Sequence, residues 1–226
     1  MRQALSSTAS RDPIGVFDSG VGGLSVLREI RHLLPQENLV YVADSGHAPY
    51  GDRSASFIQA RSLDIVSFLL SQRVRAIVVA CNTVTGVTIR EIRDRSPVPV
   101  VAIEPAIKPS ASSTRSGVVG VLATSQTIAS PGMARLMAHH GAGVRFVLQA
   151  CPGLVEQVER GALDDDATRS LLHRYIDPLL AEGADTLVLG CTHYPFLADA
   201  IRSIAGPDVA VIDPAAAVAR QLRHRL

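Results

Sequence analysis

The feature that most constrains this chain is a short pattern that occurs twice. Residues 76–83 read AIVVACNT and residues 186–193 read TLVLGCTH, so each copy has an apolar run, a small residue, a cysteine and short polar residues. Apolar runs without polar alternation are typical of strands buried on both faces of a parallel sheet. The repeat therefore predicts a duplicated unit that places Cys81 and Cys191 at the carboxyl ends of two central strands, where ligands bind in open α/β sheets.

The rest of the chain repeats this alternation of strands and helices. Runs rich in Val and Ile alternate with stretches of helical periodicity, which is the pattern of βαβ units. The predicted strands cover residues 14–17, 39–43, 76–80, 98–103, 117–123, 144–149, 186–189 and 209–212. Residues 104–116, which contain Pro105, Pro109 and a run of polar residues, are predicted to form a linker or crossover. The fold class is therefore α/β, with two similar domains built on parallel-type sheets.

The proline-containing segment also sets the expected domain boundaries. We expect a first α/β domain over residues 14–104 together with 213–226, and a second over residues 105–212. Residues 1–13 are polar, lack the apolar core of a secretory signal, and are expected to form a flexible N-terminal segment.

Composition excludes several classes of protein. Of the 226 residues 47% are hydrophobic and the net charge is +1, which argues against intrinsic disorder. No apolar run approaches the roughly 18 residues that cross a bilayer. The 22 basic and 21 acidic residues nearly cancel, and aromatic residues make up only 4%, so neither a membrane nor a nucleic-acid partner is expected. Three cysteines do not build a disulfide framework, which favours a reduced, cytoplasmic protein.

The duplicated cysteines have several possible roles. A cysteine after an apolar strand is commonly an inert core thiol, but two in matched settings favour chemistry. Each is expected to lie at a helix N-terminus, which would lower the thiol pKa. His193, two residues after Cys191, leaves two further alternatives: a zinc site with Cys81, or a Cys–His pair for acyl transfer that would leave the second thiol unexplained. Cys151, which lacks such polar partners, is assigned to structure.

Two further motifs are weak signals when taken alone. Residues 17–24 (FDSGVGGL) form a glycine-rich segment between a strand and a helix, which could cradle a phosphate or carboxylate or simply make a tight turn. Asp18, at the end of the strand, is the part that suggests chemistry. Asp44, followed by Pro49, Tyr50 and Gly51, would by itself be interpreted as an ordinary loop.

Taken together and in this order, the four motifs resemble those of the glutamate racemases of the aspartate/glutamate racemase superfamily. The resemblance runs from about Ile14 to near the C-terminus. It implies two α/β domains that face each other across a central cleft. It also implies interconversion of L- and D-glutamate without a cofactor or a metal, with D-glutamate supplied for bacterial peptidoglycan. A homodimer is expected on the same ground.

The resemblance also assigns site residues by position. Cys81 and Cys191 match the two catalytic thiols, Asp18 and His193 match supporting acid–base groups, and Glu159 matches a further carboxylate, although Glu156 lies nearby. The positions that match substrate-binding residues are Asp18, Ser19, Tyr50, Gly51, Asn82, Thr83, Thr124, Thr192 and His193.

Racemisation explains why such a unit would be duplicated. The reaction removes the α-proton from one face of the substrate and returns a proton to the other, so one base on each face suffices without moving the substrate. Two departures from the family's pattern are His47, where arginine is common, and residues 84–86 (VTG), where small residues are usual. The alternatives are a superfamily racemase acting on aspartate or hydantoins, and a non-catalytic module that binds a small ligand.

Overall fold

The computed structural model of the protein describes residues 12–140 and 143–226. The predicted flexible N-terminal segment, residues 1–13, lies outside the described residues except for its last two. In the part of the chain that is described, no helix is long and apolar enough to cross a membrane.

The first half of the chain forms a four-stranded parallel sheet. Its strand order is β2-β1-β3-β4, and the pairing brings the carboxyl end of β1, Asp18, beside the carboxyl end of β2, Ala43. The strands are β1 (Ile14–Asp18), β2 (Leu39–Ala43), β3 (Ala76–Val79) and β4 (Val100–Ala102). The helices of this half are α1 (Leu24–Leu33), α2 (Ala55–Ser71) and α3 (Asn82–Arg95).

The second half forms another four-stranded parallel sheet with the corresponding order, β6-β5-β7-β8. Its strands are β5 (Val118–Ala123), β6 (Arg145–Ala150), β7 (Thr186–Leu189) and β8 (Ala210–Ile212). Its helices are α4 (Ile107–Ser113), α5 (Ser125–Ala129), α6 (Pro131–His140), α7 (Leu154–Glu159), α8 (Asp166–Ala181) and α9 (Ala198–Ala205). The predicted fold class, two similar α/β halves with parallel sheets, is confirmed.

The duplication extends to backbone hydrogen bonds beside the cysteines. The N–H of Ala80 donates to the carbonyl of Phe17 in β1, and the N–H of Gly190 donates to the carbonyl of Leu122 in β5, both at 2.8 Å. β3 and β7 are fully buried and have neighbours on both sides, as their unbroken apolar sequences predict. The two sheets therefore present equivalent carboxyl edges, each followed by a cysteine.

The terminal helix α10 (Ala215–Arg225) packs on the first half, although the second half precedes it in sequence. Its buried residues, among them Val218 and Leu222, share one apolar cluster with Val26 and Ile30 of α1. The chain therefore returns to the first sheet after β8. The exact domain boundaries stay a prediction.

Residues 104–116, predicted to form a linker or crossover, connect β4 to β5 and contain the helix α4, which was not predicted from the sequence. Pro109 lies in the first turn of that helix, where a missing N–H costs no intrahelical bond. Ile107 is fully buried and packs with Val119 and Val188 of the second sheet. Burial of this apolar residue on a neighbouring sheet overrides the weak helical pattern of the serine-rich sequence.

Candidate active site

The carboxyl edges of the two sheets contribute to one small cavity between the halves. It is lined from the first half by Ser19, Pro49, Tyr50, Gly51, Cys81, Asn82 and Thr83, and from the second by Thr124, Val155, Cys191, Thr192 and His193. All the site residues predicted from the sequence line this cavity except Asp18 and Glu159. Those two carboxylates lie directly behind it, in contact with lining residues.

Cys81 is held at the N-terminus of α3 and is buried. Its Sγ lies 3.7 Å from the Oγ of Ser19, which in turn lies 3.4 Å from the Oδ1 of Asp18. Burial raises the pKa of this thiol well above its usual range, and the charge of Asp18 raises it further. The backbone N–H of Val84 lowers the pKa of the thiol, but by less than burial raises it. The expectation that the helix N-terminus gives Cys81 a low pKa is therefore wrong, because desolvation outweighs the helix dipole.

Asp18 links the two halves behind the cavity. Its Oδ2 accepts hydrogen bonds from the N–H of Gly23 at 2.6 Å and from the Oγ1 of Thr192, in the second half, at 3.3 Å. Full burial raises the pKa of this carboxyl above its ordinary value, while the nearby charge of His193 opposes the rise. Asp18 and Cys81 therefore form an acid–base pair in which both groups hold a proton more tightly than they would in water.

Cys191 has a different partner. Its Sγ lies 3.7 Å from the Nδ1 of His193, and the Nε2 of His193 lies 2.6 Å from an oxygen of Glu159. Burial alone would lower the pKa of His193, but its hydrogen bonds with Cys191 and Glu159 raise it to about 10. The same contact with His193 lowers the pKa of Glu159. A protonated imidazole is therefore held beside the thiol at neutral pH.

The thiol, imidazole and carboxylate of the second half also form the set that acyl transfer would need. Acyl transfer by this set would leave Cys81, which lines the same cavity, without a role. The zinc alternative finds no support in the arrangement of side chains: among the described residues, no group of three or more Cys, His, Asp and Glu side chains is placed to hold a metal ion.

The structure distinguishes between the two glutamates of α7. Glu159 contacts His193 and also accepts a hydrogen bond from the N–H of Val21 at 2.8 Å. Glu156 instead lines a neighbouring surface pocket that also contains Asp52 and Pro152. The geometry therefore supports Glu159 as the carboxylate at the site.

The glycine-rich segment after β1 has a use that the sequence did not indicate. A Cβ atom on Gly22 would lie 2.3 Å from the Nδ1 of His193, and a Cβ on Gly20 would lie 1.9 Å from an oxygen of Glu159. Two of its N–H groups, those of Val21 and Gly23, are already bonded to carboxylates of the protein. The segment therefore makes room for the His193–Glu159 pair of the other half and does not present those groups to a phosphate.

Three threonine hydroxyls meet where the halves join at the cavity. The Oγ1 atoms of Thr83 and Thr124 are 3.0 Å apart, and Thr127 lies 3.0 Å from Thr124 and 3.3 Å from Thr83. Thr127 was not predicted as a site residue. Its N–H donates to the Oγ1 of Thr124, the residue that caps helix α5. A threonine three residues after a capping threonine is therefore the sequence feature that could have indicated Thr127.

Asn82 offers the cavity unsatisfied hydrogen-bonding groups. Its side chain is buried, yet within the described residues neither its amide nitrogen nor its amide oxygen has a protein partner. A buried amide without partners costs free energy that a polar ligand can recover. Asn82 lines the cavity that both thiols also line, so it is placed to bind a substrate.

Among the described residues, Cys151 makes no hydrogen bond with either thiol pair. It is buried in the core of the second half, and its Sγ donates to the carbonyl of Gln149 at 3.3 Å. Its structural assignment stays a prediction.

Comparison with known proteins identifies the class to which this fold and site belong. A family model described as Asp/Glu/hydantoin racemase matches residues 14–222. The chain therefore belongs to the Asp/Glu/hydantoin racemase family, and the predicted enzyme class, an isomerase of the amino-acid racemase type, is confirmed.

Similarity to individual proteins indicates a particular member of this family. The chain is 57% identical to a glutamate racemase of Ectopseudomonas mendocina over 218 residues, which cover 96% of this chain and 83% of the relative. It is also 57% identical to a glutamate racemase of Methylococcus capsulatus, over 97% of this chain and 81% of the relative. Among solved structures, Escherichia coli glutamate racemase in complex with L-glutamate and the activator UDP-MurNAc-Ala matches with a TM-score of 0.87 and 36% identity, over 94% of this chain and 82% of that one. The resemblance to glutamate racemases is thereby confirmed.

Proposed function

We propose that this protein interconverts L- and D-glutamate without a cofactor, with Cys81 and Cys191 as the two bases. The observation that carries the proposal is the placement of two thiols, from equivalent positions in the two sheets, in the lining of one cavity. A substrate bound between them would present one face of its α-carbon to each sulfur. The identity with glutamate racemases over most of the chain supports glutamate as the substrate.

The proton movements follow from the partners of each thiol. In one direction the thiolate of one cysteine takes the α-proton, and the thiol of the other donates its proton to the opposite face of the carbanion-like intermediate. Asp18 then exchanges a proton with Cys81, and His193 exchanges one with Cys191, which resets the two sulfurs. Glu159 is proposed to hold His193 protonated and correctly oriented.

Polar groups around the cavity supply the binding energy. The α-proton of an amino acid is a very weak acid, so charge that develops in the transition state needs fixed hydrogen-bond donors. We assign this role to Ser19, Asn82, Thr83, Thr124 and Thr192, together with the segment that contains Tyr50 and Gly51. The buried and unsatisfied amide of Asn82 is the clearest of these donors.

The proposal extends to the role of the product. We infer that the enzyme is cytoplasmic and supplies D-glutamate for peptidoglycan, as the resemblance implies. We also propose a homodimer, which light scattering of the purified protein would test: a monomeric mass would contradict it.

The direct test is an assay of the purified protein with L- and D-glutamate, both enantiomers of aspartate, and a hydantoin. Racemisation of glutamate in both directions, lost in Cys81→Ala and in Cys191→Ala, is the expected result. Preference for aspartate or a hydantoin would assign a different substrate within the family. Saturable glutamate binding without turnover would instead indicate a binding module.

A further inference from the structure

A second group of charged residues lies at the end of β2, behind the cavity wall that Tyr50 forms. The hydroxyl of Tyr50 donates to Oδ2 of Asp44 at 2.5 Å. Arg61, from α2, donates to the same carboxylate through two nitrogens: Nε lies 3.0 Å from Oδ2 and Nη2 lies 2.7 Å from Oδ1. The Nδ1 of His47 lies 2.9 Å from Oδ1. One carboxylate therefore accepts bonds from three side chains.

This arrangement fixes which part of Tyr50 can serve the cavity. Its side chain is buried, it packs edge-on against Phe57 with ring centroids 6.0 Å apart, and the single hydrogen of its hydroxyl is directed to Asp44. The phenol is therefore an anchor, and its hydroxyl hydrogen is not available to a ligand. Tyr50 therefore contributes to the cavity by fixing the position of residues 49–51.

The other end of the same segment is attached to the second half. The N–H of Gln126, in α5, donates to the carbonyl of Gly51 at 3.3 Å, and its side-chain amide donates to the carbonyl of Arg53 at 2.8 Å. Gly51 also lies so close to Thr124 that an added Cβ would be 3.0 Å from it. The segment therefore spans the two halves, with the Asp44 carboxylate as its fixed point on the first.

We propose that Asp44 and Arg61 are positioning residues for residues 49–51, and that Arg61 neutralises Asp44 so that an anionic substrate is not repelled from the cavity. This inference rests on the proposed function, because the substrate's negative charge is what makes the neutralisation matter. Arg61 acts through Tyr50 and Asp44; neither it nor Asp44 lines the cavity.

Charge supports the second part of the inference. Burial alone would raise the pKa of Asp44, but the hydrogen bonds from Arg61, Tyr50 and His47 lower it to about 2, so the carboxylate is ionised at any ordinary assay pH. Its side chain is only 10% exposed, and water screens it poorly. The planar guanidinium of Arg61 makes two parallel bonds to this carboxylate, a geometry that lysine cannot reproduce.

The test separates the effect of charge at residues 44 and 61 from the effect of side-chain shape. Arg61→Met leaves the Asp44 carboxylate without its main counter-charge and is expected to raise KM for glutamate by about threefold to tenfold, with kcat changed by no more than about twofold. The double variant Asp44→Asn/Arg61→Met removes both charges but keeps the shape of residue 44 and an acceptor for Tyr50. Its KM is expected to return most of the way to that of the wild type. Arg61→Lys, which keeps the charge, is expected to lie between the wild type and Arg61→Met.

The control is Arg145→Met, which breaks an exposed ion pair with Glu182 in the second half and is expected to leave KM unchanged. Unfolding by urea checks that every variant is folded. An unchanged KM in Arg61→Met, or a double variant as impaired as Arg61→Met or more so, would overturn the inference. If the wild-type protein did not racemise glutamate at all, the proposed function would fail instead, so the two failures are distinguishable.

Discussion

The Nε2 of His193 lies 2.6 Å from the Oε1 of Glu159, and the same oxygen accepts the N–H of Val21 at 2.8 Å. One carboxylate oxygen of the second half thus connects the histidine beside Cys191 to the glycine-rich segment of the first half. The contact depends on glycine at positions 20 and 22, since a side chain at either would collide with it. The histidine is therefore held by both halves together, and this has consequences for stability and for activity.

The first prediction concerns the dependence of stability on pH. The pKa of His193 rises from an ordinary value of 6.5 to about 10 in the folded protein, so the folded state binds this proton more tightly than the unfolded state. The resulting stabilisation is complete below the unfolded value and is lost as pH rises through about 10. Glu159→Gln removes much of it. We therefore expect the variant's deficit in free energy of unfolding, measured with urea, to be larger near pH 6 than near pH 10.

Glu182→Gln is the matched control, since it removes a carboxylate from an exposed pair that contains no histidine. Its smaller deficit should not vary over the same pH range. A deficit in Glu159→Gln that stays constant, or grows towards alkaline pH, would mean that the pair does not hold the proton on His193.

The second prediction concerns the space that Gly22 leaves for the imidazole of His193. An added methyl group in Gly22→Ala would lie 2.3 Å from the Nδ1 of His193, so the imidazole must shift from its present position beside Cys191. Misplacement of a catalytic group by about 1 Å can cost on the order of 100-fold in rate, and we expect a loss of about that size in kcat/KM. Gly46→Ala is the control, because its Cβ would have no neighbour within 4 Å. Comparable activity in the two variants would show that the close approach is not needed.

The third prediction concerns the threonine cluster. Thr127 is 2% exposed, and Thr127→Val would remove a hydroxyl that bonds with both Thr83 and Thr124. We expect a loss of about 1–2 kcal/mol in free energy of unfolding, because buried hydroxyls lose a partner. Thr127→Ser keeps the hydroxyl and should lose less. Urea denaturation of the three proteins measures the difference; equal losses in both variants would assign the effect to packing and not to hydrogen bonding.

Much of the fold could be predicted because its signals are local. The buried strands β3 and β7 are unbroken apolar runs, and the repeat around Cys81 and Cys191 predicts that the two sheets are equivalent. The helix α4 could not be predicted in this way. Its serine-rich sequence is stabilised by burying Ile107 on the second sheet, which is a tertiary effect.

The site likewise contains features that local sequence predicts and features that depend on distant contacts. Residue types and spacing indicated the thiols and their polar neighbours, and the resemblance gave their roles. The partners that tune them are distant in sequence: Glu159 meets Val21 across the two halves, and Arg61 reaches Asp44 from the middle of α2. No local sequence pattern indicates such pairs. The pKa of Cys81 is raised and not lowered because the thiol is buried, and that burial is a property of the packed structure.

The central claim is that each thiol serves one face of the substrate, and exchange of the α-hydrogen of glutamate in deuterium oxide tests it most directly. The wild-type protein should exchange both enantiomers and racemise them. With one thiol removed, the other can still remove the α-proton on its own side and return a deuteron there. Cys81→Ala and Cys191→Ala should therefore lose racemisation, and each should exchange only one enantiomer, a different one in each variant. Racemisation at the normal rate by either variant, or exchange of the same enantiomer by both, would contradict the two-thiol mechanism.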